Sequence, residues 1–333
     1  MSRALLMVTQ GDMFLVEVCL SKIAKWIEEV DRVYVHVNTD LPLDFLEAAI
    51  DELGHDKILW MRTPERLVHG PAISKLMQIV QEDEICIIED DCLIFKSGVL
   101  TENFDKLTHG AKLVGSPRHF CTPWISERAK QVYGLDYSGW GDHGPAFWPN
   151  MFFCRKDLLE RTDMDFRARS WPKGTMLMDA ECPSDQNGDT FVSTSLQLRE
   201  LVKPREIAII PQYHCNPDNF LPEYRRDKRG ILDGKCGYFH VGSLSSFLTN
   251  LLLDERGVPL GLPNAKPVEY PKLNLFEVRT LAMQLSFIER TRLNVMPWLD
   301  RYVEACDRLA EHFDIRWMRG AVRRQYDEVM YVT

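Results

Sequence analysis

Along the first part of the chain, short apolar runs alternate with stretches whose apolar residues recur at helical spacing. The run ALLMV (4–8) breaks at Thr9-Gln10-Gly11-Asp12. MFLVEVCLSKIAKWIEEV (13–30) then sets Phe14, Val18, Ile23, Trp26 and Ile27 at helical intervals. RVYVHVN (32–38) is rich in β-formers and predicts a strand, closed by the turn Asn38-Thr39-Asp40. LDFLEAAIDEL (43–53) predicts a helix stopped by Gly54. KILWM (57–61) predicts a third strand and RTPERLVHG (62–70) a polar connector. PAISKLMQIVQ (71–81) predicts a helix with Pro71 at its first position. EICIIE (84–89) predicts the fourth strand. Strands alternating with helices in this way predict an α/β layer around a largely parallel sheet.

Beyond residue 115 the texture changes. Pro, Gly and Trp are frequent up to residue 188, as in YSGWGDHGPAFWP (137–149). KLVG (112–115) and PAFWPNMFFCR (145–155) predict strands, and the remainder ordered loops of the kind that carry binding sites. DTFVSTSLQLREL (189–201) predicts a helix capped by Asp189, and EIAII (206–210) a further strand. After Leu262, FEVRTLAMQLSFIERTRLN (276–294) and PWLDRYVEACDRLAEHF (297–313) predict a helical appendage.

A length of 333 residues allows one large domain or two smaller ones. Lys plus Arg number 40 against 49 Asp plus Glu, and the net charge of -9 argues against a surface coated with nucleic-acid-binding charge. A local basic channel stays open. The cysteines are odd in number at nine and form no CxxC pair, which argues against a zinc ribbon or disulfide scaffold and suits a reducing compartment. The N-terminal MSRALLMVTQGDMF is too briefly apolar for a signal peptide. The longest apolar stretch, SFLTNLLL (246–253), falls well short of the ~18 residues of a membrane span. These features predict a soluble cytoplasmic protein, residing in the host cytoplasm if the chain is viral.

Three acids, Glu89-Asp90-Asp91, arrive at the end of the fourth strand, before Leu93, Ile94 and Phe95. Adjacent carboxylates repel one another and lose hydration when buried. In an open α/β sheet, ligands bind beyond the carboxyl ends of the strands. Hard carboxylates there suit a divalent cation, Mg²⁺ or Mn²⁺, carried with a phosphate-bearing substrate. The alternative is one turn-capping acid beside two solvated ones.

IIEDD resembles the EDD variant of the DxD metal motif in the GT-A class of nucleotide-sugar glycosyltransferases. The resemblance spans roughly 3–242, in element order and in that motif. It implies a GT-A-like three-layer α/β fold with a mixed, mostly parallel central sheet plus a C-terminal helical appendage. Residues 1–262 would form the glycosyltransferase domain, with 1–98 its nucleotide-binding half and 99–262 its acceptor half. Residues 263–333 would be the helical region. The implied partner is a nucleotide-sugar donor, a UDP-sugar such as UDP-glucose first, with Mn²⁺ or Mg²⁺ as cofactor. Carried over, Asp91 is the first metal ligand, Asp90 contacts ribose or metal, and Glu89 supports them. Thr9, Gln10, Asp12, Asn38 and Asp40 match where the family holds base and ribose. Lys75 matches a donor-contact position and equally fits a solvated helix face. The family's late histidine ligand falls on His240 in KCGYFHVGS, flanked by Gly237 and Gly242 and followed by Ser243 and Ser245. His214 in QYHCNP competes with it. An imidazole beside carboxylates favours Mn²⁺ over Mg²⁺.

An inverting transferase also needs a base for the acceptor hydroxyl. In the family this acid sits just before a helix. PSDQNGDTFVSTSLQL (183–198) offers Asp185 and Asp189. Asp189 takes the place of the acid in the family's xED pattern, although Gly188 replaces the usual Glu, and an N-cap is its other reading. Asp142 and His143 in GWGDHGP are further candidates; a retaining enzyme needs no such base. Trp140, Phe147 and Trp148 suit either stacking on a sugar or base, or the core.

The chain loosely resembles the base-modifying glycosyltransferases that partner thymine or methylcytosine oxygenases, phage enzymes among them. That implies a DNA acceptor, 5-hydroxymethylcytosine or 5-hydroxymethyluracil. The basic runs RARSWPK (167–173) and YRRDKR (224–229) suit phosphates, and chemistry on a base needs it flipped out of the stack. A surface polysaccharide, a lipid-linked sugar, a protein side chain or a small metabolite are the other acceptors. Two readings from other classes stay open. A nucleotidyltransferase often shows a Gly-rich, basic loop after its first strand, which VTQGDMF lacks. The other is a non-catalytic sugar-nucleotide-binding protein.

Overall fold

The computed structural model describes residues 1–9, 26–38, 56–65, 67–90, 92–94, 97–118, 121–134, 144–210 and 238–240. Contacts divide the chain into two units. One comprises Met1–Gly11, Ala24–Asp90 and Ser97–Gln212; the other comprises Asp12–Ile23, Asp91–Lys96 and Tyr213–Thr333.

The apolar runs of the first unit become strands because both faces of the sheet they form are covered. They are β1 (Arg3–Thr9), β2 (Arg32–Val37), β3 (Ile58–Met61) and β4 (Glu84–Glu89). Helix α1 (His69–Ile79) precedes β4. It starts two residues before Pro71; the missing N–H of Pro71 falls within the first turn, where no intrahelical partner exists to be lost. Beyond the second unit's β5 (Cys92–Ile94) come α2 (Val99–Thr108), β6 (Leu113–Gly115), β7 (Pro117–Arg118), α3 (Pro123–Tyr133) and β8 (Ala146–Phe147). Next are β9 (Met151–Arg155), α4 (Lys156–Leu159), β10 (Arg169–Trp171), β11 (Met176–Leu177), β12 (Ala180–Glu181) and β13 (Gln186–Gly188). Helix α5 (Val192–Leu201), β14 (Ile207–Ile209) and, in the second unit, β15 (Tyr238–His240) follow.

Among the described residues, seven strands form the central sheet in the order β14-β6-β9-β4-β1-β2-β3. The pairs β1–β2, β1–β4, β2–β3 and β6–β14 are parallel, and β9 alone runs antiparallel, between β4 and β6. The sheet is therefore mixed and mostly parallel, as expected. β1 lies between β2 and β4, so the strand order reverses there. At such a switch point the loops beyond two neighbouring strands part and leave a crevice.

One sheet face packs Leu6, Val8, Ile85, Ile87, Phe152 and Cys154 with Ile73, Leu76 and Met77 of α1 and Leu198 of α5. On the other face, buried Phe153 meets Phe104 of α2 edge-on, with centroids 4.9 Å apart. α1 comes very close to the chain at Phe166: a Cβ on Gly70 would stand 2.3 Å from the Phe166 carbonyl oxygen, so only glycine fits. The Glu29 carboxylate closes the start of α2, accepting from the Gly98 N–H at 2.7 Å and the Thr101 N–H at 2.9 Å. A smaller core joins Ile125 and Ala129 of α3 to Trp171, Met178, Cys182, Val192 and Leu196.

Two predictions are corrected. The stretch read as loops between 115 and 188 contains helix α3 and the paired strands β10–β13 and β11–β12. Helix α5 begins at Val192 with Phe191 as its N-cap, so Asp189 is not the cap. Buried Phe191 adopts φ 74, stacked on Phe166 and edge-on to Phe152, and this aromatic packing delays the helix. In the second unit, β5 and β15 pair antiparallel. The predicted helix 43–53, most of 13–30 and the region 263–333 lie outside the described residues.

Candidate active site

The carboxyl ends of β1, β2 and β4 bring several of the expected residues to the point of strand-order reversal. Val8 pairs with Glu89, so Thr9 and Asp90 are the next residues out on adjacent strands. Both are buried, Thr9 completely and Asp90 at 5% exposure. The Asn38 N–H donates to the Thr9 carbonyl at 2.9 Å, tying the ends of β1 and β2. The Asn38 side chain is occupied: its Oδ1 accepts from the Leu67 N–H at 2.8 Å and its Nδ2 donates to the Leu67 carbonyl. Asn38 therefore fixes the connector before α1 through its amide. Lys75 is exposed on α1, as a solvated helix face requires.

Glu89 is half-buried and meets an indole. Trp148 Nε1 donates to Glu89 Oε1 at 3.2 Å. The segment carrying Trp148 is held from α5. The Phe147 N–H donates to Ser195 Oγ at 2.9 Å, Arg199 Nε donates to the Pro145 carbonyl at 3.2 Å, and the Arg199 guanidinium stacks 4.3 Å from the centre of the Phe147 ring. Phe147 is thus a core residue, and Trp148 is a hydrogen-bond donor to the acid triplet. Asn150, immediately before β9, is not among the residues the sequence points to. It is fully buried; its carbonyl accepts from the Glu89 N–H at 3.4 Å and its Oδ1 from the Met151 N–H at 2.8 Å. A lone polar residue in an aromatic stretch, between Pro149 and an apolar strand, is the signal that could have found it.

The two described base candidates stand on exposed turns. Asp185 Oδ1 accepts from the Lys173 N–H at 2.9 Å, and Asp189 Oδ1 from the Thr190 N–H at 2.7 Å. Gly188 has no room for a side chain: a Cβ would lie 2.7 Å from Val192 Cγ1 and 3.0 Å from the Trp171 ring. The absence of an acid there is therefore a packing requirement. In the first basic run, Arg167 forks onto Asp165 at 2.8 and 2.9 Å, which holds the Asp165 carboxyl below the usual carboxylate range. Arg169 reaches Asp163 at 3.4 Å and Ser193 at 3.0 Å.

In the second unit, the β5–β15 register sets His240 opposite Cys92, the residue that follows Asp91 in the chain. An imidazole and a carboxylate are a donor set that Mn²⁺ or Mg²⁺ accepts. Among the described residues no group of three or more His, Cys, Asp or Glu side chains is placed to hold a metal ion. Asp91 and the side chain of His240 are outside that set. Gln10, Asp12, Asp40, Asp142, His143, Trp140, His214, Ser243, Ser245 and the second basic run also lie outside the described residues.

No family model and no curated protein matches the sequence. Among solved structures the chain is similar to glucosyl-3-phosphoglycerate synthase from Mycobacterium tuberculosis in complex with UDP. That match has a TM-score of 0.42 and 13% identity, covering 62% of this chain and 69% of that one. The same enzyme with Mn²⁺, UDP-glucose and phosphoglyceric acid gives a TM-score of 0.41 at 11% identity, over 62% and 68% of the two chains. A mannosyltransferase from Pyrobaculum calidifontis in complex with GDP-mannose and Mn²⁺ gives 0.39 at 11% identity, over 99% of this chain and 75% of that one. Among the described residues, no helix is long and apolar enough to cross a membrane.

Proposed function

We propose that the chain is a metal-dependent glycosyltransferase that moves a sugar from a nucleotide-sugar donor, a UDP-sugar first, to a hydroxyl acceptor. The observation that carries this reading is the position of the first two acids: β4 ends at Glu89, and Asp90 follows it, where strand order reverses between β1 and β4. A nucleotide suits that crevice. Residues 1–262 are the assigned catalytic region and 263–333 the appended one.

Asp91 and His240 are the metal ligands in this reading, with Asp90 the neighbouring carboxylate on the ribose side. The bound cation supplies positive charge against the departing diphosphate. Thr9, Gln10, Asp12 and Asp40 line the nucleotide side, Asn38 positions the connector before α1, and Lys75 is at most a peripheral contact. Asp189 is the first choice of base for an inverting reaction, with Asp185 and Asp142 behind it. Its exposed turn leaves the carboxylate hydrated and open to an acceptor hydroxyl.

The acceptor we put first is a hydroxymethylated pyrimidine in DNA. The ion pairs of Arg167 and Arg169 favour a second reading, a carbohydrate acceptor on a polysaccharide or lipid-linked sugar. A DNA phosphate would have to displace Asp165 and Asp163 from those arginines. One experiment separates the two. The protein is incubated with Mn²⁺ and a panel of nucleotide sugars, offering 5-hydroxymethylcytosine DNA, 5-hydroxymethyluracil DNA, unmodified DNA and oligosaccharides. Products are read by mass. A hexose added only to modified DNA supports the first acceptor; one added only to oligosaccharide supports the second. No nucleoside diphosphate released with any donor overturns the glycosyltransferase reading.

A further inference from the structure

Two polar residues of α5, one turn apart, reach the same short segment. Ser195 and Arg199 are both buried and stand four positions apart, so they share a helix face. Against that face runs the segment that contains β8. The Phe147 N–H donates to Ser195 Oγ at 2.9 Å. Arg199 Nε donates to the Pro145 carbonyl at 3.2 Å, and its guanidinium lies 4.3 Å from the centre of the Phe147 ring. The next residue, Trp148, is fastened separately, by its N–H donating to the Ser116 carbonyl at 3.1 Å.

Glu89 closes β4, and its main chain is fixed from both neighbouring strands. It pairs with Val8 of β1, and its N–H donates to the Asn150 carbonyl at 3.4 Å, which makes Glu89 and Asn150 a polar rung beyond the Ile88–Met151 pair. Its carboxylate is half-buried and accepts from Trp148 Nε1 at 3.2 Å. That length is at the long end of the range for an N–H···O bond. Moving the indole away by a further ~0.5 Å would take it outside hydrogen-bonding distance. The orientation of Glu89 is therefore sensitive to how closely the backbone from Pro145 to Trp148 is held.

Packing alone does not call for an arginine at position 199. Burying a guanidinium costs hydration, and a leucine or methionine fills similar space without that cost. Neither supplies a planar cation that donates to a carbonyl and stacks on a ring at once. Serine is likewise a weak choice inside a helix, where its hydroxyl competes for backbone hydrogen bonds. Here the Ser195 oxygen is committed to Phe147. We propose that Ser195 and Arg199 are positioning residues for the acid at the end of β4, acting on Glu89 through the segment from Pro145 to Trp148 and the Trp148 indole. The inference rests on the glycosyltransferase reading, in which Glu89 supports the acids beside the cation. It also makes α5 a link between that acid and the first-choice base, since Asp189 stands three residues before Val192, where the helix starts.

The test is calorimetric binding of UDP and of GDP to the full chain, with and without Mn²⁺, read as the gain in affinity that the metal brings. Arg199→Met, Trp148→Phe and their double variant form one cycle. Ser195→Ala, which removes only the hydroxyl oxygen, forms a second cycle with Trp148→Phe and carries the test should Arg199→Met not fold. Urea unfolding is followed in parallel, so that a loss of fold is told apart from a loss of binding. Each single variant is expected to cut the Mn²⁺-dependent gain about tenfold, the low end of the loss when a residue behind a metal ligand is removed. Diphosphate binding without metal is expected to match the parent. Each double variant is expected to lose about tenfold, not about a hundredfold, because residues that act through one contact are not additive. Parent-like gains in Arg199→Met and Ser195→Ala, or losses that multiply with that of Trp148→Phe, would make the two α5 residues packing residues only and overturn the inference. A parent protein that binds neither diphosphate in Mn²⁺ would overturn the glycosyltransferase reading itself, and the positioning role with it.

Discussion

Trp148 Nε1 donates to Glu89 Oε1 at 3.2 Å, joining the segment before β9 to the acid triplet at the end of β4. The Trp148 main chain is held separately, by its N–H donating to the Ser116 carbonyl at 3.1 Å. Trp148→Phe therefore removes the indole donor and leaves the backbone tied. Hydrogen bonds to a charged group contribute about 1.5–3 kcal/mol, and the half-buried position of Glu89 argues for the low end. We expect about 1–2 kcal/mol less stability in urea unfolding, with slower sugar transfer. Unchanged stability together with unchanged transfer would show that the indole does not hold Glu89.

Asp91 and His240 are the proposed metal ligands; His240 stands opposite Cys92, the residue after Asp91 in the chain. If they bind the cation, Mn²⁺ with UDP should raise the unfolding temperature of the parent protein, since a ligand that binds only the folded form stabilises it. Asp91→Ala should abolish that rise while leaving the metal-free unfolding temperature alone. His240→Ala should weaken Mn²⁺ binding by at least roughly one to two orders of magnitude, the loss that already follows when a residue behind a metal ligand is removed. A full Mn²⁺-dependent rise in Asp91→Ala would remove it from the metal site.

His36 sits next to the carboxyl end of β2 with no exposed surface, its Nδ1 unpartnered and its Nε2 3.5 Å from Thr63 Oγ1. Burial lowers its pKa, because the charged ring would lose hydration, and a hydrogen bond to the backbone of His36 itself offsets this only in part. The sign follows directly. Below the unfolded pKa of about 6.5 the unfolded chain takes up a proton that the folded one refuses, so stability falls as pH drops through that value. The loss continues until the depressed folded pKa is reached. Urea midpoints at about pH 7.5 and about pH 5.5 should differ in the parent protein and differ less in His36→Leu. Equal pH dependence in the two proteins would mean that His36 accepts its proton when folded.

Much of this architecture is legible in the sequence because its strands are apolar enough to sit between two covered faces. Strict alternation of apolar and polar residues is not needed: RVYVHV and EICIIE are near-continuous runs and form β2 and β4. Helix α3 is harder to read, although Pro123 opens it and Gly134, at φ 62, closes it. The Pro, Gly and Trp residues around it have the texture of loops. The hairpin of β11 and β12 is illegible for a deeper reason. Met178 and Asp179 both take positive φ, where glycine or asparagine is expected, and the Arg128 guanidinium holds the Met178 carbonyl at 2.8 and 2.9 Å. The polar rung of Glu89 and Asn150 depends on strand register, which periodicity alone does not supply.

Gly188 makes the last prediction, and it bears on Asp189. The sequence places glycine where the resembling family carries an acid, and packing explains why. A Cβ would stand 2.7 Å from Val192 Cγ1 and 2.9 Å from Val192 Cβ, at the first turn of α5. Val192 is fully buried and β-branched, so its side chain has little freedom to turn away. Gly188 also bridges to Cys121 and pairs with Arg169, which prevents the strand from retreating. Gly188→Ala should therefore cost about 1–3 kcal/mol, as overpacked sites do, and Gly188→Glu more. Because Asp189 follows directly, the displaced strand should also slow transfer if Asp189 is the base. Val192→Ala in the Gly188→Ala background removes Cγ1, the nearer of the two opposing carbons, and should recover part of the stability, measured by urea unfolding of the four proteins of the cycle. Recovery of stability with recovery of transfer would locate the defect in the placement of Asp189; recovery of stability alone, with transfer never impaired, would remove Asp189 from the reaction.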